Sequence, residues 1–475
     1  MSGTAEWEDL VSTALVGTDR RPLPGQAEPE TEVLARAAVQ TLRIRAGRRP
    51  VPVAEPPAAA APEEQSVVSR AAADRLARIL GGEQPRMLDE WLRAAAGRGY
   101  RLAPHLLPEL LDRAAKDRSI RPHLGVLAGH RGRWLAGLNP AWAFLLEEVT
   151  AAAVTGFGDG EEVWQLGTPG DRRAYLAALR ASDPAGAREL LAATWEKEAP
   201  DDREAFLKVL ADGLSLADEP FLEAALDDRR VEIRGEAAYL LSRLPESRFG
   251  LRMAERVAKF LPAGDGKIQA TAPTECDTAM RRDGVRAKAQ YGMGERGWWL
   301  QQIVARTPLG VWSGLYGRPP HEIIRMPVVD WRDEVVAGWI RAAMVQGDRE
   351  WARELFLLKP AADLLAVLPR EERETVATEF VRRHGGRNAR YGRLSDYLTG
   401  VAAPWGPGLA QAVLEAILDI SNSTQSWYIG DLIKLAGERV DPGLHAMAER
   451  FSLEPPVQEV AALLRFRNDM LKELQ

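Results

Sequence analysis

The chain has 475 residues, 46% hydrophobic and 27% charged, a balance that supports a large buried core and excludes a disordered polyelectrolyte. Its formal net charge of −6 offers no overall attraction to nucleic acid or to an anionic membrane, and its single cysteine, Cys276, excludes an intrachain disulfide or a multi-cysteine metal site. No apolar run reaches the roughly 18 residues of a membrane span; the opening MSGTAEWEDL has no basic and apolar leader, so a reducing, cytoplasmic setting without membrane contact is expected.

The first element, residues 1–49, reads as two helices. In WEDLVSTALVGT, Trp7, Leu10, Val11, Ala14 and Leu15 share a face, and Gly17 stands where a helix C-cap belongs. PETEVLARAAVQTLRIRAG is the second helix. Residues 50–66 then turn Pro/Ala-rich (PVPVAEPPAAAAPEE), the composition of an extended, semi-rigid linker.

Residues 67–260 form a helical domain, with breaks at GGEQP, GRGYRLAP and GLNPAW. In LADEPFLEAALDD, Asp218 is the expected N-cap, Pro220 lies in the first turn, and Phe221, Leu222, Ala225 and Leu226 are apolar. DDRRVEIRGEAAYLLSRLP follows at once. Its Ile233, Ala237, Leu240, Leu241 and Leu244 fall on one arc of a 3.6-residue period, which predicts an amphipathic helix with one buried stripe. Asp227 and Asp228 suit its N-terminus, Pro245 ends it, and Glu232, Glu236 and Arg243 are left for a solvated face. The texture recurs at DRRAYLAAL from Asp171, DREAFLKVL from Asp202 and GDREWARELF from Gly347. Paired helices returning every 30–45 residues or so are the mark of an α-solenoid. The expected fold is therefore all-α, an α-solenoid of HEAT-like helix pairs. The 14 tryptophans are scattered along the chain, as residues that fill helix–helix contacts would be.

Residues 261–327 depart from this pattern. They are rich in Gly and Pro and read as an irregular insertion module, where chemistry would be sought first. Residues 328–475 return to helical repeats and end in PPVQEVAALLRFRNDMLKELQ. There Val457, Val460, Ala461, Leu464, Leu471 and Leu474 make a long apolar face that caps the array or docks a partner helix.

Motifs for chemistry are sparse. Gly292, Gly294 and Gly297 satisfy G-x-G-x-x-G, but the preceding VRAKAQY alternates where a buried parallel strand would be apolar throughout, so a glycine-rich turn is the simpler reading. HEIIR has Arg325 where a zinc helix needs its second histidine. His105, His123 and His130 lack acidic or cysteine partners at ligand spacing, and Cys276 sits between Glu275 and Asp277, which discourages a thiolate. No catalytic residue, metal site or cofactor is assigned. What remains is a basic and aromatic cluster: Arg281, Arg282, Arg286, Lys288, Arg296 and Arg306 among Tyr291, Trp298, Trp299 and Trp312. Such a mixture forms either an interaction surface, including one that holds a nucleic-acid strand, or a core with a solvated rim.

WEDLVSTALVGTDRRPLP, GHRGRWLAGLNPAW and GERGWWLQQIVARTPLGVW resemble a bacterial family of unknown function. Its members look to be encoded near MoxR-type AAA ATPases, von Willebrand A-domain proteins and SWIM zinc-finger proteins. The resemblance implies an adaptor beside an ATPase and carries no catalytic residues with it. DDRRVEIRGEAAYLLSRLP resembles HEAT repeats, which imply a binding scaffold and which also build the alkylpurine DNA glycosylases. The leading expectation is a non-enzymatic protein-binding scaffold or adaptor, with an AAA ATPase or a von Willebrand A-domain protein as partner. The alternatives are a nucleic-acid-binding or DNA-repair protein using the patch near 281–318, and an enzyme with its site in 261–327.

Overall fold

The computed structural model describes residues 2–21, 29–47, 57–146, 160–262, 264, 266–289, 292–385, 394–422 and 429–475. The chain divides into two units, Met1–Ala61 and Pro62–Gln475.

The first unit is a hairpin of α1 (Ser2–Val16) and α2 (Pro29–Gly47). Gly17 takes the left-handed conformation (φ 92°) and returns its N–H to Thr13 O at 2.9 Å, the expected cap. Leu10 and Val33 are buried between the helices, but Trp7, Val11, Ala14 and Leu15 of the expected face are exposed, because two helices cannot enclose a full apolar stripe. The linker expected at 50–66 falls partly outside the described residues.

The second unit is helical almost throughout. Its first helices are α3 (Arg70–Leu80), α4 (Leu88–Gly97), α5 (Leu107–Lys116), α6 (Leu124–Leu127) and α7 (Gly129–Leu138). There follow α8 (Gly160–Leu166), α9 (Pro169–Ser182), α10 (Pro184–Thr194), α11 (Pro200–Val209), α12 (Glu219–Ala225), α13 (Val231–Leu241) and α14 (Arg248–Phe260). Pro169, Pro184 and Pro200 occupy first turns, where the missing N–H costs nothing, and Thr168 with Asp171 closes a capping box on α9. Helix α9 packs on α10 and α11, and α11 and α12 both pack on α13, around Leu176, Phe206, Leu222, Ile233 and Leu240. Two local expectations shift. Helix α13 starts at Val231 with Arg230 at its N-cap, so Asp227 and Asp228 lie outside it: Asp228 accepts the Arg230 N–H at 2.8 Å, and Asp227 pairs with Arg282. Asp218 does stand at the N-cap of α12, but its carboxylate is turned inward onto Arg180.

Residues 261–327 hold α15 (Thr278–Arg282), α16 (Glu295–Arg306), α17 (Gly310–Tyr316) and α18 (Pro320–Ile323). Their two ends are tied by a parallel pair of two-residue strands, β1 (Ile268–Gln269) and β2 (Val328–Val329). Beyond lie α19 (Arg332–Gln346), α20 (Arg349–Leu358), α21 (Ala362–Val367), α22 (Arg370–His384), α23 (Leu394–Leu398), α24 (Pro407–Ser421), α25 (Ile429–Arg439), α26 (His445–Phe451) and α27 (Pro455–Glu473). Composition set 261–327 apart, yet its Trp299, Leu300, Ile303 and Trp312 belong to the same core as Trp339, Trp351 and Phe356. Trp312 meets Trp339 edge-on at 5.3 Å, and Trp339 meets Trp351 at 5.6 Å. Helices α16 and α19 approach closely because Gly338 has no side chain; a Cβ there would lie 2.6 Å from that of Val304.

The span 67–260 also divides. Helices α3 and α4 pack on α27, and Met470 and Leu474 share a core with Leu76, Trp91 and Leu110, whereas 164–253 have a core of their own. Arg467, 3% exposed, joins Glu90 on α4 at 2.7 Å, and Arg75 joins Glu473 at 2.6 Å. The apolar face read on the last helix therefore has its cover: Val457, Val460, Ala461 and Leu464 are buried as α27 packs on α24, α25 and α26.

Candidate functional site

Helices α11, α13, α16 and α19 line one cleft of about 540 Å³. Each contributes a stripe at helical spacing: Glu232, Gly235, Glu236 and Tyr239 from α13, Trp298, Gln301, Gln302, Ala305 and Arg306 from α16, and Arg341 and Val345 from α19. Glu204 comes from α11, and Arg286 from the loop before α16.

That loop is clamped in place. Gln302 accepts the Arg286 N–H at 2.9 Å and donates to Arg286 O at 3.1 Å, holding the loop as a neighbouring strand would. Arg306 donates to Gly284 O at 3.0 Å and to Gln302 O at 3.1 Å. Gly284 itself has φ 76° and lies against α13, where a Cβ would come within 2.8 Å of Ala238.

The electrostatics of the cleft are unusual for this chain. Arg286 and Arg341 are exposed at its mouth, and Arg306 is half-buried on its floor. Among the described residues none of the three has a carboxylate partner; Arg341 rests over the Tyr239 ring at 5.8 Å, and the Arg306 Nε is buried with no acceptor. Burial, with the charges of Arg286 and Arg341 adding to it and Asp283 opposing, pulls the Arg306 guanidinium down to about 10. On the other wall, burial pushes the Glu236 carboxyl up, with Lys208 opposing and Glu204 assisting. A ligand that brought an anion to the arginines and a cation to the glutamates would relieve both strains.

The residues singled out in the sequence are partly dispersed. Arg286, Trp298 and Arg306 meet in this cleft. Arg281, Lys288 and Trp299 line a second hollow beside Cys276, whose thiol burial pushes up against the opposing charge of Arg281. Arg282 is spent on Asp227 at 2.6 Å and Glu223 at 3.3 Å. Arg296 donates to Pro273 O and Ala272 O, each at 3.0 Å, and Trp312 is fully buried in the core. Tyr291 lies outside the described residues. Of the glycine motif, Gly294 is the N-cap of α16, Gly292 has φ 83°, and Gly297 packs against α19, where a Cβ would lie 2.8 Å from Glu334. Among the described residues no strand lies between α15 and these glycines, so the strand that leads into a dinucleotide loop is missing there.

Among the described residues no group of three or more His, Cys, Asp or Glu is placed to hold a metal ion. His123 faces Asp89 at 3.3 Å, Glu322 pairs with Arg318 at 3.0 Å, and Arg325 pairs with Glu354 at 3.1 Å. No described helix is long and apolar enough to cross a membrane. Sequence reading left Glu232 and Glu236 on a solvated face and did not single out Glu204, Gln301 or Arg341. The available signal was a second, polar stripe on α13 at Glu232, Glu236 and Tyr239.

The model of a family described as a family of unknown function (DUF5691) matches residues 9–474. No curated protein and no solved structure matches the chain.

Proposed function

We propose that this chain, which belongs to the DUF5691 family of unknown function, is a helical-repeat protein that binds other proteins and does no covalent chemistry on them. The observation that carries this reading is the cleft of α11, α13, α16 and α19, where Arg286, Arg306 and Arg341 have no carboxylate partner and Glu232 and Glu236 no ion pair among the described residues. Support for a HEAT-like solenoid comes from hairpins whose alternate helices touch, α9 on α11 and α11 on α13. In such an array the scaffold is held rigid by its core, and the exposed stripes of successive helices present side chains at fixed spacing. The bacterial gene setting implied by the resemblance makes a MoxR-type ATPase or a von Willebrand A-domain protein the first partner to seek, and a cytoplasmic setting belongs to the same reading. The nucleic-acid reading gains less, since Arg282, Arg296 and Trp312 are committed to internal contacts.

Tagged protein purified from its native cell at low salt tests the reading, with mass spectrometry of the eluate and absorbance at the nucleic-acid maximum. A stoichiometric protein partner is expected. A protein-free eluate carrying nucleic acid would overturn it.

A further inference from the structure

We infer that the cleft takes a peptide segment of mixed charge, its acidic side chain held by Arg286, Arg306 and Arg341 and its basic side chain by Glu232 and Glu236. The inference rests on the protein-binding reading and specifies what that site recognises.

The first argument is a contrast within the chain. The most deeply buried arginines elsewhere have carboxylate partners, Arg75 with Glu473, Arg180 with Asp218 and Arg467 with Glu90, at 2.6 to 2.7 Å, whereas part-buried ones such as Arg121 and Arg373 end on backbone carbonyls. The three cleft arginines have none among the described residues, although glutamates line the same cleft. Placing three cations together without counter-ions is unfavourable, and an entering carboxylate gains from all three without breaking an existing pair. The second argument is the opposite wall. Glu232 and Glu236 form no ion pair among the described residues, Glu236 is half-buried, and the one lysine acting on it, Lys208, is joined to Glu204 at 2.6 Å, so the wall still favours an added cation. The third is space and shape. A Cβ on Gly235 would meet nothing within 4 Å, so the cleft is open beside α13. Its volume of about 540 Å³ falls in the roughly 300–1,000 Å³ range of ligand sites. The side-chain amide of Gln301 lines it with donor and acceptor free among the described residues, the pair a peptide group needs.

Charge balance decides between polymers. A phosphate backbone passing the arginines would run against Glu232 and Glu236, whereas a peptide with one acidic and one basic side chain satisfies both walls.

The test is selection of a random dodecapeptide display library on the full chain, with depletion on Gly235→Leu. That variant fills the cleft from a helical position with open space, and leucine is a better helix former than glycine, so an unchanged thermal melt is expected. A second variant, Arg286→Gln with Arg341→Gln, changes two exposed side chains only. Enriched peptides are expected to carry Asp or Glu and Lys or Arg at a common spacing. Their affinity, read by fluorescence anisotropy, should fall roughly tenfold or more in each variant, and should fall again as salt rises from about 50 to about 300 mM. The inference is overturned by enriched peptides without acidic residues, by a library that yields nothing distinguishing the wild-type chain from Gly235→Leu, or by full displacement with an equal concentration of oligo-dT. A native partner captured equally by wild type and Gly235→Leu also overturns it while leaving the protein-binding reading intact. Failure of the wild-type chain to capture any stoichiometric partner counts against that reading instead.

Discussion

Asp218→Asn should loosen the helices from α9 to α13 selectively. Asp218 and Arg180 are both fully enclosed. The guanidinium meets the carboxylate at 2.7 and 3.0 Å and also donates to the carbonyls of Asp212 (2.7 Å), Pro184 (2.9 Å), Gly213 (3.1 Å) and Leu210 (3.2 Å). Arg188 adds a further contact to the same carboxylate at 3.1 Å. The pair thus joins α9 to the turn between α11 and α12. The asparagine keeps the shape, removes the charge and turns an amide donor toward a guanidinium that cannot deprotonate. Breaking one side of a buried pair costs about 3–5 kcal/mol. Since 1.4 kcal/mol is about tenfold, amide exchange in this region should rise by roughly two to three orders of magnitude. The assay is native-state hydrogen exchange read by mass spectrometry on peptides from 169–226, because separate cores need not unfold in one step. Burial alone would raise the Asp218 carboxyl, but hydrogen bonds from Arg180, the Ser215 N–H and Arg188 outweigh it and hold the group below its usual value. The native state therefore binds fewer protons than the unfolded chain. Its contribution is complete above about pH 4, and is lost as pH falls through the depressed native value. Wild-type protection should converge on that of the variant in acid. Unchanged exchange at neutral pH would refute the reasoning.

Glu90→Gln strips the carboxylate from Arg467 and should cost about 2 kcal/mol, discounted because Glu90 is part-exposed; exchange should rise together in peptides from α4 and α27, residues far apart in the chain. Glu236→Gln should raise the melting temperature at neutral pH. Burial lifts the native carboxyl above its unfolded value, so the charged form is a penalty that is full above the native pKa and absent below about pH 4, where the gain should vanish in calorimetry. Gly338→Ala places a Cβ 2.6 Å from that of Val304 and 3.0 Å from the Gln301 carbonyl. Overpacking of this kind costs about 1–3 kcal/mol, measurable by denaturant titration. Cys276, 5% exposed and with its thiol pushed up chiefly by burial, should resist a thiol-specific reagent at neutral pH until the chain is unfolded.

Local signals of helix structure were legible along the chain. Pro220 marks a helix start because proline is tolerated where the N–H has no partner to lose, and Gly17 marks an end because glycine takes φ 92° freely. The buried stripes at Ile233, Ala237, Leu240 and Leu241 and at Val457, Val460, Ala461 and Leu464 follow from a 3.6-residue period that needs no tertiary knowledge. What lay outside the sequence is which stripe meets which. Asp218 carries the signature of an N-cap and occupies that position, yet its partner is Arg180, 38 residues away. Arg282 and Arg286 stand four residues apart and read alike, but one closes an ion pair with Asp227 and the other opens onto a cleft. That cleft draws Glu204, Glu236, Arg286 and Arg341 from helices and a loop separated by many turns of chain. Helical periodicity and capping depend on neighbours within one or two turns. Pairing of charges and enclosure of space depend on non-local burial, and only the packed chain decides them.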